Sequence, residues 1–222
     1  MTGTLLGYDP GGNGHHGLAI LSVEAGQPRA ITIETCATVE DVLRRLEPIP
    51  DLIGAGIDTI TCWSSGPSGW RPADRWMRQQ YPTDVARSVT SPNSLYGSMS
   101  LSGMSVIHTL RQLDPSLPIT ETHPKVIHAV LWGHRYDYAH SARQMDLELA
   151  SILDLDVRTA NDHEWDAVVA SFSMLSALRG DWLYDLHQLE PDPDERILMP
   201  CGPTLYAWPE GPVLAKRCSQ TQ

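Results

Sequence analysis

The run Asp51–Ile60, DLIGAGIDTI, constrains this chain more than any other stretch. It is almost wholly apolar and shows no polar alternation, so a strand built from it needs cover on both faces. That cover is what a central strand receives in a parallel sheet packed between helices. The run closes on a carboxylate, Asp58, and a charge at the end of a buried strand requires a partner. An earlier apolar run, Thr4–Tyr8, ends the same way on Asp9, then drops into PGGNGHH before resuming as Leu18–Val23. An aspartate there either caps a turn or holds a metal or phosphate at the end of a sheet.

A third run, Ala30–Thr35, follows the turn EAGQP, and the three read as consecutive antiparallel strands. Thr38 caps a short helix, VEDVLRRLE, which Pro48 and Pro50 end. Residues 63–98 form a long Trp-, Gly-, Pro- and Arg-rich excursion with one helix over ADRWMRQQ. A helix over MSVIHTLRQL, a short strand PITETH carrying Glu121, and a helix PKVIHAVLW opened by Pro124 come next. Further helices are expected over Ser141–Leu153 and NDHEWDAVVASFSMLSALRG, the last capped by Asn161 or Asp162 and ended by Gly180. A fragment around PTLYAWPEGPVL reads as a hairpin. A meander followed by β-α-β crossovers predicts an α/β chain: a mixed five-stranded sheet, a three-stranded antiparallel meander plus parallel strands, with helices on both faces. This is the element order of the ribonuclease-H-like fold. We expect one domain over 1–180, with 181–222 an extension packed on it.

No stretch approaches the roughly 20 apolar residues of a membrane span, and the N-terminus lacks a basic segment followed by an apolar signal region. A cytoplasmic location follows as an expectation. Cys36, Cys62, Cys201 and Cys218 form no C-x-x-C pair and read as reduced thiols. No P-loop and no G-x-S-x-G pattern is present. The formal net charge of −11 argues against coating nucleic acid by charge alone, although bound cations can override a global balance locally.

Neighbouring parallel strands bring their C-terminal ends to one edge, so Asp9, Asp58 and Glu121 are expected to converge there. Asp162 and Asp166 stand four apart on the final helix and share a side of it. Converging buried acids repel one another unless a cation neutralises them. Oxygen ligands of this kind suit Mg²⁺ or Mn²⁺, and two such ions roughly 3.5–4 Å apart serve phosphodiester hydrolysis. The catalytic candidates are Asp9, Asp58, Glu121 and Asp166; the metal candidates are Asp9, Asp58, Asp162 and Asp166. Each acid also has a plain reading as a turn residue, a cap or a solvated strand end. Arg71, Arg75 and Arg78 read either as a phosphate clamp or as a solvated helix with local ion pairs. His15 and His16 read as exposed loop residues, or as contacts to substrate or metal; His15 is the substrate-binding candidate.

The segments GYDPGGNGHHGLAI, IGAGIDTITCW, RPADRWMR, ETHPKVIH and NDHEWDAVVAS resemble, in this order, the domain-of-unknown-function family numbered 429. The likeness spans about residues 5 to 175. It implies a ribonuclease-H-like nuclease with acidic-site roles for Asp9, Asp58, Glu121, Asp162 and Asp166. After GID that family carries a proline and small residues, whereas TITCW follows here, which bears on the substrate loop. The expected function is a metal-dependent nuclease hydrolysing phosphodiester bonds of nucleic acid, with its oligomeric state, dimer included, left open. Two alternatives stand: a non-catalytic binding or scaffold module of the same fold, and an actin-like nucleotide-binding ATPase, which needs two copies of the fold where 222 residues hold one.

Overall fold

The computed structural model describes residues 1–12, 14–49, 51–92 and 97–209. Strands β1 (Gly3–Asp9), β2 (His16–Glu24) and β3 (Gln27–Cys36) form the meander, with Asp9 opposite Gly17 and His16 opposite Cys36. Helix α1 (Val39–Leu46) follows, started by a reciprocal cap between Thr38 and Asp41. It returns the chain to β4 (Leu52–Ile57), which lies parallel to β1. After the short β5 (Trp63–Ser64) come α2 (Pro72–Gln80), α3 (Thr83–Ala86) and α4 (Gly97–Leu113). Strand β6 (Ile119–Glu121) then pairs with β4. The sheet order is β3-β2-β1-β4-β6, with β2 antiparallel to the rest. This is the ribonuclease-H-like arrangement, and the mixed five-stranded sheet agrees with the sequence reading.

Helices α5 (Pro124–Trp132), α6 (Tyr138–Leu153) and α7 (Asp162–Arg179) complete the layers. Alternation along the strands divides the core in two. Leu6 and Tyr8 of β1 and Ala55 and Ile57 of β4 face α1 and α4, with Val42, Leu46, Ile107 and Leu110. Leu5 of β1 and Leu21 of β2 face the other layer, with Ile127, Leu149, Trp165 and Val168. Gly7 and Asp9, like Gly56 and Asp58, therefore belong to the second face. There the glycines let α7 lie directly on the sheet. A Cβ at Gly7 would stand 1.9 Å from the carbonyl oxygen of Ala167, and one at Gly56 would stand 1.8 Å from that of Ala170.

Several boundaries differ from the sequence reading. Helix α4 runs back to Gly97 because nothing from there to Met104 breaks a helix once packed, and α6 starts at Tyr138 with a kink at Ser141. His16 lies in β2, buried, with Nδ1 2.8 Å from the Tyr8 hydroxyl, and is not a loop residue. Asn161, not Asp162, caps α7, accepting from the Glu164 amide, and Gly180 ends it at φ 74°. Trp182, Leu186, Tyr206 and Trp208 are buried against the main core. Within the fragment read as a hairpin, Ala207–Trp208 (β9) pairs with Tyr184–Asp185 (β7), and Ile197–Leu198 (β8) pairs with β5. The rest of that fragment, and Cys218, lie outside the described residues. Among the described residues no helix is long and apolar enough to cross a membrane.

Candidate metal centre

Three elements deliver one carboxylate each to the same point. Asp9 is the last residue of β1, Asp58 directly follows β4, and Asp166 lies one turn into α7. One oxygen from each lies within 4.8 Å of the others. Asp9 and Asp166 are only 2% and 3% exposed, while Asp58 is half-buried and opens the site to solvent. The Asp58 amide donates to the Tyr8 carbonyl at 2.8 Å, which fixes the position of Asp58 just past the strand end.

The electrostatics follow from this crowding. Burial pushes the Asp58 carboxyl well above its usual range, and the neighbouring Asp9 pushes it further. Burial does the same to Asp166, reinforced by Asp58 and Asp9. Burial also raises Asp9, against the opposing hydrogen bond from His163, whose Nδ1 lies 2.7 Å from Oδ2. That contact in turn raises the His163 imidazole. Lys125 enters from α5 and is exposed overall; partial desolvation of its ammonium pulls it down, but Asp166, Asp58 and Asp9 together raise it above its ordinary value. Asp166 Oδ1 is buried with no hydrogen-bond partner among the described residues. An orphaned buried oxygen in a set of repelling carboxylates, with one solvent-facing member, fits a hard divalent cation.

Glu121 stands outside this set. Its partner in the β4–β6 register is Ile57, the residue before Asp58, and it borders the same cavity as Asp58 without joining the three aspartates. There Arg71 grips it, through Nη1 to Oε2 at 2.8 Å and Nη2 to Oε1 at 2.6 Å. Burial pushes Glu121 up, but Arg71 and His187 outweigh it and leave the carboxyl well below the usual range. The Thr61 amide and hydroxyl also donate to Glu121 Oε2. Asp162 opens α7 with its side chain 46% exposed, 4.0 Å from His163.

The sequence-predicted arginines are all occupied by protein. All five N–H groups of Arg71, which is 3% exposed, are satisfied by Asp74, Glu121 and the Cys62 carbonyl. Arg75 pairs with Asp192 and Glu195. Arg78 donates to the Val89 carbonyl and lies over the Trp70 ring. His15 is exposed and stacks on His163 at 6.0 Å. Arg71 nonetheless borders open space beside Asp58, Arg78 is exposed, and further cations line the space around the acids. A cavity of about 180 Å³ adjoins Asp58 and Lys125, lined also by Thr59, Ile60, Thr122 and His123. A groove of about 510 Å³, bounded by Arg87, Arg135, Tyr136 and Asp162, shares Lys125 and Ser88 with it. Arg87 and Arg135 are exposed and hold no ion pair among the described residues. Isolated arginines in loops carry no sequence signal. His163 and Lys125 were legible only as neighbours, one beside Asp162 and one after Pro124.

No family model matches the chain, and no curated protein matches it. Among solved structures it is similar to RuvC of Thermus thermophilus, at 14% identity and a TM-score of 0.46 over 80% of this chain and 96% of that one. The T. thermophilus RuvC in complex with Holliday junction substrate is similar at 17% identity and a TM-score of 0.44, with the same coverage of each chain.

Proposed function

We propose that the protein is a metal-dependent phosphodiester hydrolase acting on nucleic acid, with Asp9, Asp58 and Asp166 as the ligands of Mg²⁺ or Mn²⁺. The observation that carries this reading is the convergence of three carboxylates within 4.8 Å at the end of the sheet, each destabilised as an anion by burial. A bound divalent ion supplies the positive charge that phosphodiester cleavage requires. Asp162 and Glu121 are outside this ligand set in the reading, the first at its exposed edge and the second committed to Arg71. His163 orients Asp9 and holds a proton beside it. Lys125 remains an ammonium between the acids and the groove, and with Arg87 and Arg135 it meets phosphates of the substrate strand. These local cations offset a net charge of −11 at the point of contact. The resemblance to family 429 and a cytoplasmic setting belong to the same reading.

The test is calorimetric titration of Mn²⁺ into wild type and Asp166→Asn, followed by incubation with single- and double-stranded DNA and RNA. Mn²⁺ uptake and cleavage by wild type, both lost in Asp166→Asn, support the reading. Wild type that takes up no Mn²⁺ in the presence of any of these substrates overturns it. It would leave the non-catalytic module, which is favoured by one observation: Lys125 already provides a cation to all three acids.

A further inference from the structure

Away from the acidic centre, α5 and α6 meet at three groups with the donor chemistry of a transition-metal site. His128 lies in α5 and is fully buried, and Glu148 sits in α6 and is buried. His134, 47% exposed, follows the left-handed Gly133 that ends α5. His128 Nε2 is 3.1 Å from Glu148 Oε2, and His134 Nε2 is 2.9 Å from Glu148 Oε1. One donor atom from each residue lies within 4.8 Å of the other two. We infer that His128, His134 and Glu148 form a second metal site, which takes zinc or a similar borderline transition ion.

Two imidazoles and one carboxylate are the ligand set such an ion prefers, whereas Mg²⁺ and Mn²⁺ prefer oxygen. Metal–ligand bonds of about 2.0–2.1 Å at tetrahedral angles separate neighbouring donors by roughly 3.3 Å. The two N–O contacts fall a few tenths of an ångström short of that, so an ion enters with a small spreading of the side chains. The charges suit an ion, although each Nε2 donates its proton to Glu148 and must give it up on binding. Burial keeps His128 neutral, and although burial raises Glu148, hydrogen bonds from His134, Gln144 and His128 outweigh it and hold the carboxylate ionised. His134 is the solvent-facing member of the three. Coordination through Nε2 moves the His128 ring proton to Nδ1, which is buried with no hydrogen-bond partner among the described residues. A zinc-bound histidine usually has an acceptor there, and its lack lowers affinity.

The position gives the site a structural use. Trp132, Tyr136 and Trp165 surround the His128 ring with centroids at 5.1, 5.8 and 5.4 Å. Trp165 immediately precedes Asp166, so an ion that ties α5 to α6 also stiffens the wall behind the acidic centre. Without the ion, the same three groups form a hydrogen-bonded latch.

The experiment is calorimetric titration of Zn²⁺ into the full chain, with thermal unfolding in parallel, on wild type, Asp58→Asn, His134→Ala and Glu148→Gln. Wild type and Asp58→Asn are expected to bind one equivalent and to unfold at a higher temperature with Zn²⁺. His134→Ala, truncated at a half-exposed side chain, is expected to bind at least tenfold more weakly and lose the thermal shift. Glu148→Gln, which keeps the shape and removes the charge, is expected to do the same. The inference is overturned if wild type takes up no Zn²⁺, if uptake survives both His134→Ala and Glu148→Gln, or if Asp58→Asn abolishes it. Because Asp58→Asn disables the acidic centre alone, the two metal sites stand or fall separately.

Discussion

Substituting Gly56 by alanine tests how the acidic centre is assembled. The added Cβ would lie 1.8 Å from the Ala170 carbonyl oxygen, and real Cβ atoms essentially never approach closer than 3.0 Å. Helix α7 must therefore retreat from β4 by about 1.2 Å, since both contacting groups are backbone and neither can rotate away. Overpacking of this kind costs roughly 1–3 kcal/mol, and the rigid contact places Gly56→Ala at about the upper end. The retreat also carries Asp166 away from Asp9 and Asp58, so Mn²⁺ binding is expected to weaken at least tenfold. The assays are urea unfolding and Mn²⁺ calorimetry, with Gly12→Ala as control because a Cβ there meets nothing within 4 Å. A Gly56→Ala chain with the midpoint and Mn²⁺ affinity of wild type would refute the link between strand glycine, helix approach and site.

Asp58 and Asp166 are raised in the folded state, so the folded chain binds more protons than the unfolded one, and metal-free stability falls as pH rises from about 4. Asp58→Asn is expected to flatten that fall and to be more stable than metal-free wild type at neutral pH, an order that saturating Mn²⁺ reverses; unfolding midpoints across pH decide this. By the same linkage, Mn²⁺ affinity in wild type is expected to increase with pH and binding to release protons, measured as a dependence of the apparent enthalpy on buffer ionisation heat; no such dependence would show that the acids are already ionised. Arg71→Met leaves Asp74 buried without its cation and Glu121 with His187 alone, and is expected to cost about 3–5 kcal/mol in urea unfolding. A loss below about 0.5 kcal/mol, the scale of a surface substitution, would mean that water reaches this network.

Local pattern carried much of the fold. The unbroken apolar run at β4 required cover on both faces, and the meander and caps followed from periodicity and turn residues, because strand and helix preferences act over a few neighbouring positions. The pairing of Gly7 with Asp9, and of Gly56 with Asp58, is written in the sequence too: residues two apart share a strand face, so each glycine prepares the approach of whatever the aspartate meets. What met them was decided by tertiary structure. Asp162 and Asp166 are equivalent by helical spacing, yet only the packing depth of α7 sends Asp166 inward. Glu121 looks like a third strand-end acid until Arg71, fifty positions away, claims it. Whether an arginine faces a buried carboxylate or an open groove depends on how long excursions fold back on the sheet. Such pairings join residues distant in the chain, and no local periodicity encodes them.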